Sequence, residues 1–438
     1  MADQNIKITT SQGLLAVSPI VIFLAVYLVT SLVIGDFYKM PISVAMLVAS
    51  IWAAVSLRGM KLSERIEVFS KEAGSSNVLY MVWIFILAGA FASIAKQSGA
   101  VEATVNLTMA LLPASFIVPG LFIATCFISM SIGTSVGTVV ALTPIAVQMA
   151  ADSGSSVPYF VAIVLGGAFF GDNLSFISDT TIAATRTQGC GMKQKFITNF
   201  RIVLPAAILA LCLYIFNSPD IQPVETDGMG NILLVIPYLI VIGCAIAGIN
   251  VVIVLLLGIL SAAVVALSQG IGLLDICTIA GEGIDSVGSL IIITVLAAGM
   301  LGMIKKAGGI DFILNVLSKN ISSVRGARLS IVALVGIVNL CTANNTVAII
   351  TVGSLAKRIA SHYGISPRRS ASLLDTGSCI VQALIPYGAQ SLMAASLAAI
   401  SPIAMWQYLY YPQILILCLL VSIFFAKTKD TEDTISRV

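Results

Sequence analysis

An all-α polytopic membrane protein made of two inverted repeats, each with a re-entrant hairpin and a discontinuous transmembrane helix, is the fold class this sequence predicts. Three observations predict it. First, 58% of the 438 residues are hydrophobic and 10% are charged, whereas a soluble domain carries about 25% charged residues. The mean hydropathy is +1.04, and many segments approach the ~20 apolar residues needed to cross a hydrocarbon core. Second, residues 87–102 (LAGAFASIAKQSGAVE) and 296–311 (LAAGMLGMIKKAGGID) align without a gap about 210 residues apart. Third, the lysines and arginines of the two halves fall on opposite sides of corresponding segments.

The first apolar segment, 14–34, follows a single cation, Lys7, and is too long for a signal-peptide core, so it is expected to stay as the first span. Further crossings are read near 41–57, 77–95, 158–184, 196–216, 230–247, 250–268, 286–304, 369–400 and 404–426. Residues 120–150 and 329–356 differ: apolar arms meet at a polar tip, which suits a hairpin. Glu64, Glu67 and Glu72 belong to an amphipathic loop helix, with packing on the membrane surface as its plain explanation. The chain is read as one integral membrane domain, 1–438, with repeats at approximately 14–216 and 230–426.

Cytoplasmic loops carry the Lys/Arg excess. Arg58, Lys61, Arg65 and Lys71 make the first loop internal, as do Arg186, Lys193, Lys195 and Arg201 for the loop before 202. Residues 217–231 carry Asp220, Glu225 and Asp227 without Lys or Arg and belong outside. Lys357, Arg358, Arg368 and Arg369 separate the second hairpin from its broken helix, while the matching first-half loop, 151–158, has no such cation. Lys427, Lys429 and Arg437 place the C-terminus inside, with the N-terminus on the same side. Five crossings per half is an odd number, so the second copy must enter from the opposite face. Duplication and charge bias thus reach inversion separately.

Each half has two polar interruptions. At the hairpin tips these are 131–138 (SIGTSVGT), with Thr134, Ser135 and Thr138, and 341–346 (CTANNT), with Asn344, Asn345 and Thr346. Gly133 and Gly137 have the small-xxx-small spacing of helix packing, but adjacent asparagines in hydrocarbon are costly as mere packing. The alternative is a set of carbonyl, hydroxyl and amide ligands at helix ends. The second interruptions are 171–181 (GDNLSFISDTT) and 384–390 (LIPYGAQ). The former places Asp172, Asn173, Ser175, Ser178, Asp179 and Thr180 between apolar arms, and unwound chain survives at depth only where it lines a cavity or packs on protein. Hard oxygens suit Na⁺, and an intramembrane carboxylate alternatively holds a proton. The plainer reading is a span end, with Asp179 opening the next helix. The latter interruption, with Gln390 and no acid, is expected to form a neutral half-site. Asp375, Thr376, Ser378 and Gln382 could face the same cavity, or Asp375 could pair with Arg368 and Arg369.

Other residues have plainer readings. The eight cysteines are scattered without CxxC spacing and act as small hydrophobes. His362, the single histidine, is a solvated loop residue, and Lys96 and Lys305 snorkel from helix ends. No cation cluster is dense enough for nucleic acid. Neither a channel filter nor hydrolytic metal spacing is present, so no cofactor and no enzymatic chemistry are expected. Paired broken segments in two halves instead point to a secondary transporter.

The stretch 171–181, preceded by GGAFF at 166–170, resembles the G-D-x-x-S-x-x-S-D-T-T motif of the NhaC-type sodium/proton antiporters, and the hairpin and broken-helix order is similar to the wider ion transporter superfamily. The resemblance implies a scaffold-and-transport arrangement with elevator-like motion, commonly dimeric, in the cell membrane. It also implies that Asp172, Ser175, Ser178, Asp179 and Thr180 coordinate the ion or exchange the proton. Asp172 and Asp179 would be the Na⁺ ligands. Antiport of Na⁺ for H⁺ is the expected activity. Because related members move organic anions or amino acids, coupled transport of a small organic solute, with the asparagine tip holding the cargo, is the alternative.

Overall fold

The computed structural model describes residues 9–34, 40–56, 61–111, 113–175, 178–218, 232–247, 249–318 and 321–425. Lys7, Arg58, the acids of 219–231, Phe176, Ile177 and the cations of 427–438 lie outside the described residues. Among those described, every regular element is helical. Nine helical segments are long and apolar enough to cross a membrane, ten if one bent pair counts as a span.

The elements repeat in order. In the first half α1 (Thr10–Leu24) passes through a π-helical turn (Ala25–Val29) into α2 (Thr30–Ile34), followed by α3 (Ile42–Ser56), α4 (Leu62–Ala73), α5 (Ser76–Gln97) and α6 (Ala100–Leu111). Then come the hairpin α7 (Ala114–Ile132) and α8 (Ser135–Asp152), the broken helix α9 (Val157–Leu174) and α10 (Asp179–Gln188), and α11 (Met192–Phe216). The second half follows the same sequence: a 3₁₀ turn (Ile232–Val235) into α12 (Ile236–Ile246), α13 (Val251–Ser268), α14 (Leu273–Ser286), α15 (Gly288–Lys306) and α16 (Gly309–Ser318). Its hairpin is α17 (Val324–Thr342) and α18 (Asn345–His362), its broken helix α19 (Pro367–Leu384) and α20 (Ala389–Leu397), and a 3₁₀ turn (Pro402–Tyr408) leads into α21 (Tyr410–Phe425).

Left-handed backbone marks the duplication independently of side-chain chemistry. Gly99 and Gly308, Gly133 and Ala343, Gly154 and Gly364, and Gly189 and Ala399 all have positive φ, at separations of 209 or 210 residues. Each pair ends corresponding helices.

The broken helices stop for different local reasons. In the first, Ser175 is extended (ψ 142°) and Ser178, extended as well (ψ 138°), takes the N-cap position of α10 with its hydroxyl on that of Thr180; Ser and Asp favour such non-helical positions at helix ends. In the second, Pro386 forces its predecessor out of the α region, and Ile385 is accordingly extended (ψ 127°). Segments 157–188 and 367–397 nevertheless continue as spans of 32 and 31 residues.

Both hairpin arms pack along the broken helix of their own half. Residues 125 and 129 of α7 face Gly167 and Gly171 of α9, so α7 runs parallel to α9, while α8 returns antiparallel. The arms are longer than the sequence reading: α7 begins at Ala114 because Pro119 is accommodated inside it, and α17 begins at Val324 because Ser323 caps it by accepting from Gly326 N–H. The end of α10 meets the second hairpin, where Gln188 donates to the Gly353 carbonyl and accepts from Ser370 of α19. Conversely, α20 meets the first hairpin through Gln390. Each broken helix therefore runs between the two hairpins, which enter from opposite ends.

Helix α4 is not simply a surface element. Phe69 packs on Gly299 and Glu72 on Gly302 of α15, and α14 crosses α5 where Gly283 meets Gly89. The amphipathic helix of each half thus seats on the other half.

Gly171 carries the tightest of these approaches, since a Cβ there would collide with Ser129. Gly171→Ala is expected to cost about 1–3 kcal/mol by overpacking, read as a fall in unfolding temperature. Gly281→Ala, with open space around its Cβ position, should leave it unchanged or raise it.

Candidate functional site

Both hairpin tips and both helix breaks converge on one cavity of about 580 Å³. Thr134, Ser135, Asp172, Ser178, Asp179, Thr180, Asn344, Asn345, Thr346 and Gln390 all line it, joined by Gln382. Thr138, Asn173 and Ser175 do not. Thr138 bonds within α8, Asn173 turns toward α9 and the Tyr411 hydroxyl, and the Ser175 carbonyl accepts from Thr181.

At the centre, the buried Asp172 carboxylate sits on the first turn of α8. Ser135 N–H donates to Oδ1 at 3.1 Å and Ser135 Oγ–H to Oδ2 at 2.5 Å. A helix N-terminus carries about half a positive charge, so the hairpin tip is built to receive an anion. The tip exists because Gly133 adopts the left-handed conformation and Thr134 extends, releasing the N-terminus of α8 toward α9.

The second tip has the same shape with neutral chemistry. Ala343 is left-handed, Asn344 caps α18 by accepting from Val347 N–H at 3.0 Å, and Asn345 Oδ1 accepts from Thr346 N–H. Gln382 stands two residues before the end of α19, as Asp172 does in α9. Its Nε2 donates to the Ala343 carbonyl at 3.0 Å and to Gln390 Oε1 at 2.9 Å, and Gln390 Nε2 donates to Ser135 Oγ at 2.9 Å. A continuous hydrogen-bond chain therefore links the second tip, through Gln382, Gln390 and Ser135, to Asp172. Gln382 Oε1 is buried without a partner among the described residues and, with the carboxylates, offers an acceptor to a cation.

Asp179 both opens a helix and lines the cavity. It is the first residue of α10, behind the Ser178 cap, and its side chain is exposed to the cavity. The cavity wall continues along Tyr80 of α5 and Asn250 before α13, which bond to each other at 3.2 Å, and along Ile350 of α18.

A second polar cluster lies beside the first break. Asp375 pairs with Lys195 at 2.8 Å and accepts from Asn199 at 2.7 Å; Arg369 bonds instead to Ser422. For Asp375 the sequence offered Arg368 and Arg369 as local partners; the structure gives it the long-range partner Lys195. Lys195, counted as a loop cation, is 1% exposed because α11 begins at Met192 rather than 196. The available signal was the spacing of Lys195 and Asn199, four apart and hence on one helical face, entering an apolar run. His362, Lys96 and Lys305 are exposed, as expected.

Over residues 4–218 and 228–428 the sequence matches the Na⁺/H⁺ antiporter family. It is similar to the malate-2H⁺/Na⁺-lactate antiporter of Bacillus subtilis (21% identity over 417 residues, 87% of this chain and 89% of that one). It is also similar to the Na⁺/H⁺ antiporter NhaC of the same organism (24% over 364 residues, 74% and 78%) and to the arginine/ornithine antiporter ArcD of Halobacterium salinarum (23% over 335 residues, 68% and 69%). Among solved structures, the Alcanivorax borkumensis YdaH transporter aligns at 15% identity with a TM-score of 0.40, covering 82% of this chain and 86% of that one.

Among the described residues, Ser135 is the one side-chain donor to the Asp172 carboxylate. Ser135→Ala is expected to cost about 1.5–3 kcal/mol, the value of a hydrogen bond to a charged group. Asp172→Asn with Ser135→Ala should cost less than the sum of the two single changes, measured by thermal unfolding as a double-mutant cycle.

Proposed function

Because this chain belongs to the Na⁺/H⁺ antiporter family, we propose that it exchanges Na⁺ for H⁺, with Asp172 and Asp179 binding either ion as the cavity opens first to one side and then to the other. The carrying observation is a buried carboxylate placed between two opposed hairpin tips, at the midpoint of a broken helix. Competition of proton and cation for one carboxylate couples the two fluxes without further machinery. Ser178, Thr180 and the unpartnered Gln382 Oε1 supply neutral oxygens, and no cofactor is required beyond the transported ions. The repeats that carry this motion are taken as approximately 14–216 and 230–426, in a multi-pass membrane protein with both termini cytoplasmic.

The cavity wall takes in the first residues of α10 and runs along α18 to Ile350, toward the side on which Arg186, Lys357 and Arg358 lie near the ends of these helices. With cytoplasmic loops positive, this is an inward-facing state. Asn250→Cys, in a chain whose own cysteines are replaced, is expected to react with an impermeant maleimide in inside-out vesicles and to be protected in right-side-out ones. The reverse pattern would invert the topology.

A second reading has its own observation. The cavity of about 580 Å³ falls within the ~300–1,000 Å³ of small-molecule sites, and Asn344, Asn345 and Gln390 can donate as well as accept hydrogen bonds. The relatives named for malate, lactate, arginine and ornithine support an organic cargo coupled to Na⁺ or H⁺.

Purified protein in vesicles with imposed Na⁺ and pH gradients separates the readings. Antiport predicts Na⁺-driven proton movement without organic solute, reduced at least ~tenfold by Asp172→Asn, a change of about 1.4 kcal/mol in the barrier. Exchange that appears only when a carboxylate or amino acid is added, and whose half-saturating concentration rises in Asn345→Ala, would establish the solute carrier instead. Unchanged exchange in both Asp172→Asn and Asp179→Asn would remove these acids from the site.

A further inference from the structure

We infer a second cation site, outside the cavity and filled by the chain's own Lys195 ammonium group. An ammonium has three protons to donate, and all three are used. Lys195 Nζ lies 2.9 Å from the Asn173 carbonyl, 2.7 Å from Thr181 Oγ1 and 2.8 Å from Asp375 Oδ2. Lys195 and Asp375 are 1% and 0% exposed, and neither lines the cavity.

The surroundings hold more oxygen than these three protons can satisfy. Asp375 Oδ1, Asn199 Oδ1 and Asn173 Oδ1 are all buried without a partner among the described residues. Their residues are joined to one another, since Asn199 Nδ2 donates to both Asp375 Oδ2 and the Asn173 carbonyl. A carboxylate, a main-chain carbonyl and a hydroxyl surround the ammonium, and two more amide oxygens belong to residues bonded into the same cluster; such hard acceptors suit an alkali cation. A buried ion pair kept only for structure normally has its remaining lone pairs met by donors; here they are left open. A spherical cation, unlike an ammonium, is not limited to three directed bonds.

The position explains what the tethered charge does. Asn173 lies in the last turn of α9 and Thr181 in the first turn of α10, so Lys195 closes across the break from a third helix while neutralising Asp375 on the other half's broken helix. One positive charge is thereby carried on the chain itself, and no ion is taken up at this place. Asp172 and Asp179 remain for exchange.

Removing the tether should convert the place into an ion site. The test counts radioactive Na⁺ bound at saturation to the purified full-length protein, for the native chain, Lys195→Ala, Lys195→Met and the double variant Lys195→Ala/Asp375→Asn. It rests on Na⁺ being an ion this protein binds, which the native count establishes separately. Lys195→Ala is expected to bind one more Na⁺ per chain than the native protein, and the double variant to lose that extra ion. NaCl, compared with choline chloride, should raise the unfolding temperature of Lys195→Ala more than that of the native chain. An unchanged count in folded Lys195→Ala overturns the inference. If Lys195→Ala folds in neither salt, the count in Lys195→Met decides. Failure of both variants to fold in Na⁺ also overturns it, because a free cation would then be unable to replace the ammonium.

Discussion

The contact between the Asp172 carboxylate and the N-terminus of α8 is the interaction on which the rest of the structure depends. It is a carboxyl group held by a backbone N–H and a hydroxyl of one residue, Ser135, at the positive end of a helix. The favourable term from such a terminus is about 0.3–2 kcal/mol, small beside the cost of an isolated charge in a low-dielectric interior. A carboxylate at this depth is therefore expected to stay neutral overall, with a proton or with a cation. Everything that brings α8 to α9 serves this contact. Gly167 and Gly171 let α7 lie against α9, Ser129 donates to the Ala168 carbonyl across that surface, and Gly133 turns the chain back.

The second half repeats the backbone without repeating the charge. Gln382 takes the place of Asp172, Asn345 that of Ser135 and Ala343 that of Gly133. Hydrogen bonds from Gln382 and Gln390 carry the neutral tip to the acidic one, so the tips are mechanically linked even though one alone has an acid at the break. Such an asymmetric pair gives one titratable half-site and one polar, uncharged half-site, which fits the exchange of small cations and leaves donors and acceptors for a larger cargo.

Much of this was legible in the sequence, and the exceptions have physical causes. The breaks were visible because their residues favour helix ends: Ser175, Ser178 and Asp179 as residues typical of helix termini, Pro386 by excluding the α conformation. The inversion was visible because an odd number of crossings and the placement of Lys357 and Arg358 require it. The equivalence of Asp172 and Gln382 was hidden, since only their places relative to helix ends match. Lys195 was misread because positive-loop counting assumes a solvated cation, whereas three acceptors on three other helices, α9, α10 and α19, draw this one inside. The seating of α4 on α15 was hidden as well; an amphipathic pattern specifies an apolar face but not whether lipid or protein covers it.

Proton release on Na⁺ binding, measured with a pH indicator on weakly buffered purified protein, tests the central claim most directly because it needs no gradient and no membrane. If Na⁺ and H⁺ compete for the carboxylate docked on α8, adding NaCl acidifies the solution, adding choline chloride does not, and Asp172→Asn abolishes the signal. Proton release that persists undiminished in folded Asp172→Asn, or its absence from native protein that binds Na⁺, would contradict the account.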